Sequence, residues 1–500
     1  MFRQAANVGK ATAAVAFGAL NECALSSGEE DKNSRASLAR RNTARPQKNF
    51  HEFVIVGGGS TAHAAIEGIM MTNPKADILM LSEDSKVHHI DAELEANLSS
   101  DFLDAYNEWR RHLNPSLDTE PDAVGSVPLT LLLQRTQDKL HLDVEGKSLL
   151  LDDGTSVSYN KCLIASCGTP KEFYVLDETS FEAAGSVLTM NTLKDFARLD
   201  ELCSSVQNVT VVGGGFLGTE LAVALARRGA RSGLKVAHMY VEDGPLARHL
   251  PRYLSKHVQK LITAIGVETV AQQLCTDIKK QADGERLRMT LADDWEWMTD
   301  TAVLASTHVD PKNGIAEDSP GLELDPSSGG IVVNSQLEAL NGVYAAGATA
   351  SYPDMALGRR RGCSYDHAVM SGLHAGKNMA SDTPVLYRHL PMFHSHLRGI
   401  KVVCDGIGRV DASLRTVGFW AKKPDSPQSI ERGVIFYKNT QNKIVGALCW
   451  NASDTLERVR DIMQHKHTAD QDALQEYLSL APESWVTVVE TKRAGNNPQD

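Results

Sequence analysis

The sequence predicts an α/β chain built on two parallel-sheet units, with a smaller α+β part at its C-terminal end. Three observations predict it. A short apolar strand at 53–56 runs directly into a glycine turn and a helical pattern. The same strand, glycine turn and helix recur at 208–228. Beyond residue 430 the pattern becomes two alternating strands, 433–437 and 443–449, around the polar turn 438–442, followed by helical patterns near 454–464 and 469–478.

In the first unit, Phe53, Val54, Ile55 and Val56 make a buried strand that ends at Gly57-Gly58-Gly59-Ser60-Thr61-Ala62. Gly57 permits the tight turn, Gly59 lets a pyrophosphate approach the backbone, and Ala62 is small enough for helix and strand to pack. The helix expected at 60–71 therefore presents its N-terminus to an anion. A second strand at 77–81 leads to Glu83, a carboxylate placed to hold a ribose hydroxyl pair.

The second unit repeats this layout. A strand at 208–212 is followed by Gly213, Gly215 and Gly218, a full G-x-G-x-x-G, and by a helix expected at 216–228. The strand at 235–241 ends at Glu242, an acid that favours NAD over NADP by repelling a 2′-phosphate. One glycine turn is weak evidence for a nucleotide site; two, each with strand, helix, strand and terminal acid, are strong. Two dinucleotide sites in one chain point to a flavoprotein that takes electrons from a nicotinamide cofactor, with FAD and NAD(H) as the pair.

Composition agrees with a soluble globular chain: 500 residues, 42% hydrophobic, 23% charged. That length suggests about three domains. The net charge of −12 argues against nucleic-acid binding by bulk charge. Eight scattered cysteines do not make a disulfide scaffold, no metal-ligand set stands out, and no apolar run reaches the ~18–20 residues of a membrane span. Residues 1–21 carry Arg3 and Lys10 and no acid, as a mitochondrial presequence does, with a secretory signal as the competing reading. Residues 24–50 read as an unfolded linker.

Longer segments carry a resemblance. They are Tyr159-Asn-Lys-Cys-Leu-Ile-Ala165 with Gly168-Thr-Pro170, Gly213-Gly-Gly-Phe-Leu-Gly-Thr-Glu220, Leu357-Gly-Arg-Arg-Arg361, Asp366-His-Ala368, Gly433-Val-Ile-Phe-Tyr437 and Trp450-Asn451. From about residue 50 to 480 the chain resembles the apoptosis-inducing factor family of mitochondrial flavoproteins. The resemblance implies two Rossmann-like FAD/NAD(P)-binding domains of glutathione-reductase type plus a C-terminal α+β domain. The expected division is a targeting segment and linker at 1–50, a split FAD domain at 51–175 and 307–385, an NADH domain at 176–306 and a C-terminal domain at 386–490.

The resemblance also implies site roles. Gly57, Gly58, Gly59, Ala62 and Glu83 would hold the ADP half of FAD, with Thr169 and Gly347 near it and Arg359 as an anion contact. Gly213, Gly215, Gly218 and Glu242 would hold the NADH. Phe216 and Glu220 would lie by the nicotinamide, and Trp450 would reach the flavin or nicotinamide edge from the C-terminal domain. Further implications are dimerisation on cofactor reduction, recruitment of the oxidoreductase of the intermembrane-space disulfide relay, and localisation in the intermembrane space or matrix with nuclear relocation on cell death. For Arg359–Arg361, nucleic acid is the less favoured partner and a solvated basic turn the favoured reading. Cys162 and Cys167 share the C-x₄-C spacing of dithiol reductases but sit at a strand end, so a redox disulfide is not expected there. His367 reads as a satisfied interior histidine.

The family pattern breaks in one region. Its Arg-Pro-Pro-Leu-Ser-Lys stretch beside the flavin is here Ile90-Asp-Ala-Glu-Leu-Glu95, so a glutamate stands where a lysine would pair with Glu220. Its Gly-Asp at the flavin ribityl chain is Gly347-Ala348, and two cofactor-side glycines become Cys167 and His308. Losing one charge-assisted hydrogen bond costs roughly 1.5–3 kcal/mol. The departures cluster on the isoalloxazine and ribityl half of the site, so FAD is expected to bind weakly or in a changed redox environment, with NADH oxidation slow or absent. The alternative is a catalytically degenerate homologue that acts as a partner-binding protein.

Overall fold

The computed structural model describes residues 49–83, 129–132, 140–166, 168–170, 185–190, 193–281, 286–305, 309–354, 357–421, 430–465, 478 and 487–491. The targeting segment, Ile90, Glu95, Cys167, His308 and nearly all of the helix expected at 469–478 lie outside them.

The first sheet has Phe50–Val56 at its centre, parallel to Ile78–Leu81 on one side and to Ser156–Ile164 on the other. Leu129–Leu132 extends one side in parallel. On the other side Val343–Ala345 pairs in parallel with Ser156–Ile164, so a strand from far down the chain completes the sheet begun at residue 50. Phe53–Val56 and Ile78–Leu81 are buried throughout, as the central strands of a covered parallel sheet are. The Ser60–Thr72 helix crosses the Tyr365–Met379 helix at small residues: a Cβ on Gly372 would stand 2.2 Å from Thr61 O, and one on Gly376 2.0 Å from Ala65 O. Glycine lets the two backbones touch there.

The second sheet is parallel, in the order Val267–Ala271, Lys235–Tyr240, Asn208–Val212, Thr301–Leu304, Val187–Thr189. A three-stranded antiparallel sheet, Cys275–Lys280, Leu287–Leu291 and Glu296–Thr299, accompanies it. The short strands Gly168–Pro170 and Val309–Pro311 pair with each other where the chain leaves the first unit and where it returns. The third body is a six-stranded antiparallel sheet in the order 392–397, 402–408, 444–450, 433–438, 415–420, 487–491.

The second unit and the C-terminal sheet share one continuous core. Leu217, Leu221 and Val223 of the Phe216–Ser232 helix and Leu254 and Val258 of the Arg252–Ala264 helix pack with Cys404, Ile435, Leu448 and Trp450. Helix 216–232 runs a turn beyond the expected end at 228 and stops at Gly233, φ +82, a left-handed cap that glycine takes without strain. Arg359–Arg361, expected in a turn, lie in the strand Gly358–Arg361, which forms a hairpin with Ala350–Asp354.

Candidate functional site

Both glycine turns have the same construction. Gly57 has φ +135, and a Cβ there would stand 2.2 Å from Ala165 O; Gly213 has φ +131, and its Cβ would stand 2.5 Å from Ala305 O. In each case the turn folds back onto the end of the neighbouring parallel strand, which a side chain would prevent. Gly57 N donates to Leu81 O at 2.9 Å and Gly213 N to Met239 O at 2.8 Å. Gly218 closes against Gly213 O, where a Cβ would stand 1.9 Å away. Gly59 and Gly215 are the N-caps of the following helices, and no side chain caps either one. The Tyr365–Met379 helix, by contrast, is capped by Ser364, whose hydroxyl accepts from His367 N. Two uncapped N-termini behind glycine turns suit two pyrophosphates.

Each terminal acid has a cation beside it. Glu83 accepts from Lys312 Nζ at 2.8 Å. Glu242 accepts from Arg248 Nε at 2.6 Å and lies over the second turn, within 2.9 Å of where a Gly214 Cβ would be. Ala62 is fully buried under the first turn, and Gly58 lies between Gly57 and the cap. Thr169 is exposed and pairs with Asp310 in the two-stranded connection.

Gly347 opens a single 3₁₀ turn with φ +72 and donates its N–H to Ser371 Oγ at 2.9 Å. Ala348 follows, buried, and its carbonyl accepts from Arg361 Nη1 at 2.9 Å. A methyl therefore stands where the resemblance put a carboxylate. The Arg359 guanidinium donates to Ser351 O at 2.6 Å and Val333 O at 3.2 Å. It ties main chain together. His367 is interior as expected, bonded to Tyr387 Oη at 3.1 Å and stacked on Tyr352, and burial pushes its pKa down to about 3. Cys162 is fully buried in the first core, and burial pushes its thiol up to about 12, which does not suit a redox thiol.

Phe216 and Glu220 open the second helix one turn apart and come together in one place. The Phe216 ring lies 4.7 Å from Phe393 and 5.0 Å from His249, centroid to centroid. The Glu220 carboxylate accepts from the Ser395 hydroxyl and from the His396 backbone, with Arg398 nearby; burial outweighs these contacts and pushes its pKa up to about 8. Trp450 belongs to the core cluster against which Phe216 packs. It is 1% exposed, on a central strand of the C-terminal sheet, with its ring edge-on to His257 at 6.5 Å. Its place is the core between that sheet and the Arg252–Ala264 helix. Sequence reasoning missed Phe393 and Ser395. Both lie on Met392–Leu397, a strand whose alternation is obscured by three polar side chains, and only the sheet brings it to helix 216–232.

The residues present fit the ADP halves of two dinucleotides through the paired glycine turns, the uncapped helix starts, Glu83 and Glu242. Hydride transfer is the chemistry that a nicotinamide and a flavin supply when bound, and the chain's part is to orient them and set their surroundings. Residues 16–372 match the pyridine nucleotide-disulphide oxidoreductase family over well more than half of the chain. The chain belongs to that family. Its members are NAD(P)H-dependent flavin oxidoreductases that bind FAD and NAD(P)H. Residues 375–431 match the C-terminal domain of mitochondrion-associated apoptosis-inducing factor.

Among relatives of this oxidoreductase family, the chain is 32% identical over 430 residues to apoptosis-inducing factor 1, mitochondrial, of Dictyostelium discoideum, covering 84% of this chain and 79% of that one. It is 29% identical over 478 residues to a putative apoptosis-inducing factor 1, mitochondrial, of Drosophila melanogaster, covering 84% of this chain but only 64% of that protein. Its fold matches the ferredoxin reductase for the CYP199A2 system from Rhodopseudomonas palustris with a TM-score of 0.69 at 19% identity, over 87% of this chain and 99% of that one. The water-forming NADH oxidase from Lactobacillus brevis matches with a TM-score of 0.66 at 15% identity, over 84% of this chain and 91% of that one. No helix among the described residues is long and apolar enough to cross a membrane.

Proposed function

We propose that the chain is an FAD-dependent NADH oxidoreductase of apoptosis-inducing-factor type that works in mitochondria, in their maintenance and, on release, in programmed cell death. The observation that carries the redox reading is the duplicated turn, with Gly57 and Gly213 each closed onto a neighbouring strand ahead of an uncapped helix. In this reading Gly57, Gly58, Gly59, Ala62 and Glu83 take the ADP half of FAD, with Thr169 and Gly347 beside it. Gly213, Gly215, Gly218 and Glu242 take NADH, and Phe216 and Glu220 lie by the nicotinamide. The mitochondrial role draws on the names of the amoebal and fly relatives and on the basic, acid-free start of the sequence. Dimerisation on cofactor reduction belongs to the same proposal.

Ala348 favours a second reading. With a buried methyl at the ribityl turn, the chain would hold its flavin weakly and serve as a partner-binding protein, with the disulfide-relay oxidoreductase of the intermembrane space as the partner. A visible spectrum of the purified protein, followed by anaerobic addition of NADH, separates the two. A near-stoichiometric flavin band that NADH bleaches supports the oxidoreductase. A colourless protein that cannot be loaded with FAD overturns it in favour of the binding protein.

A further inference from the structure

The two glycine turns differ in the residue that lies beneath them. Gly57 N donates to Leu81 O and Gly213 N to Met239 O, so the residues one place earlier on those strands, Met80 and His238, hold equivalent positions. Both are fully buried. A methionine side chain has no N–H to offer its turn. His238 has one: its Nε2 lies 2.8 Å from Gly213 O. The carbonyl can only accept, so Nε2 bears the proton. Nδ1 meets no hydrogen-bond partner among the described residues, and burial pushes the pKa of the ring down to about 4, which keeps it neutral at pH 7.

The ring is held where this bond needs it. Tyr240, two residues along on the same face of the strand, meets it edge-on at 4.8 Å. The next carbonyl of the turn is fixed as well, since Gly214 O accepts from Leu246 N at 2.7 Å. A peptide is planar and trans, so its N–H points away from its own carbonyl. With Gly213 O turned to the buried imidazole, the Gly214 N–H is turned away from it. With Gly214 O held by Leu246, the Gly215 N–H is fixed in the same way. Successive N–H groups fixed in a turn ahead of an uncapped helix make a seat for an anion.

We propose that His238 is a positioning residue for the nicotinamide nucleotide: its bond to Gly213 O sets the peptide that offers the Gly214 N–H to the pyrophosphate. The first turn, over Met80, has no such bond from the equivalent position. This rests on the reading of the second turn as a nicotinamide-nucleotide site.

Calorimetric titration of the full-length protein with ADP, which has the pyrophosphate, and displacement of ADP by adenosine, which lacks it, test the role, with FAD in excess to fill the first turn. His238→Met, which installs the side chain of the first turn, should weaken ADP about three- to tenfold and leave adenosine unchanged. His238→Gln keeps an N–H donor and should bind ADP within about twofold of wild type. A Met variant that binds ADP as wild type does, or that loses ADP and adenosine to the same degree, overturns the role, as does a Gln variant no better than Met. A second measurement needs no variant. An N–H bonded to an anion makes its own peptide carbonyl a better acceptor, so the His238 Nε2 proton of the wild type should move downfield in the NMR spectrum with ADP and stay in place with adenosine. An unmoved proton overturns the role even where the Met variant does not fold. Failure of the wild type to bind ADP overturns the nucleotide-site reading itself.

Discussion

The Glu220 carboxylate accepts a hydrogen bond from the Ser395 hydroxyl, joining the first turn of the Phe216–Ser232 helix to the edge strand of the C-terminal sheet. The carboxyl that the family resemblance assigns to the nicotinamide is therefore also a contact between two parts of the fold.

The burial of this carboxylate makes stability depend on pH. Burial holds the Glu220 pKa at about 8, above the ordinary 4.5. The native state then binds the extra proton more tightly than the unfolded state, so the stabilisation is complete below pH 4.5 and lost as pH rises through about 8. Glu220→Gln should flatten this decline. The difference should reach a few kcal/mol at most, since one pKa unit is about 1.4 kcal/mol and the residue's partial exposure reduces the effect. Urea midpoints from pH 5 to pH 9 measure it, and parallel curves for the two proteins would refute the assignment.

The two turns can be separated by substitution. Gly213→Ala places a methyl 2.5 Å from Ala305 O at φ +131, and such backbone strain costs roughly 1–3 kcal/mol. Bleaching by NADH should be lost while flavin content is retained. Gly57→Ala, with its methyl 2.2 Å from Ala165 O, should lose the flavin itself. Absorbance at the flavin band before and after NADH reports both.

Ala348 is the simplest position at which to restore a missing group. Ala348→Asp should tighten FAD by about ten- to a hundredfold, the value of one charge-assisted hydrogen bond. Equilibrium dialysis against FAD gives the ratio, and an unchanged or weakened affinity would show that the loop does not hold the ribityl chain.

Trp450 separates packing from chemistry. At 1% exposure in the shared core, its replacement by alanine should cost roughly 3–5 kcal/mol of stability. Trp450→Phe keeps most of the buried ring and should leave the rate of reduction by NADH close to wild type. A large loss of rate in a stable Phe variant would return the residue to the cofactor edge.

The turns were legible because local chemistry suffices to specify them. A glycine forced to positive φ, a small residue under the helix and an acid at the end of the next strand follow one another in the sequence, and the strands at 53–56 and 208–212 needed nothing else. The Glu220–Ser395 contact was not legible. Its partners lie on a helix and on a strand far apart in the sequence, and only the packing of the C-terminal sheet on helix 216–232 brings them together. The surroundings of Trp450 and Arg359 were not legible for the same reason: the core around the one and the main-chain carbonyls beside the other come from distant segments. The sequence by itself determined two nucleotide turns and an α/β fold, since these depend on residue type and short spacing. Tertiary structure alone decided what stands opposite each site residue, because desolvation and pairing act between groups that only the folded chain brings into contact.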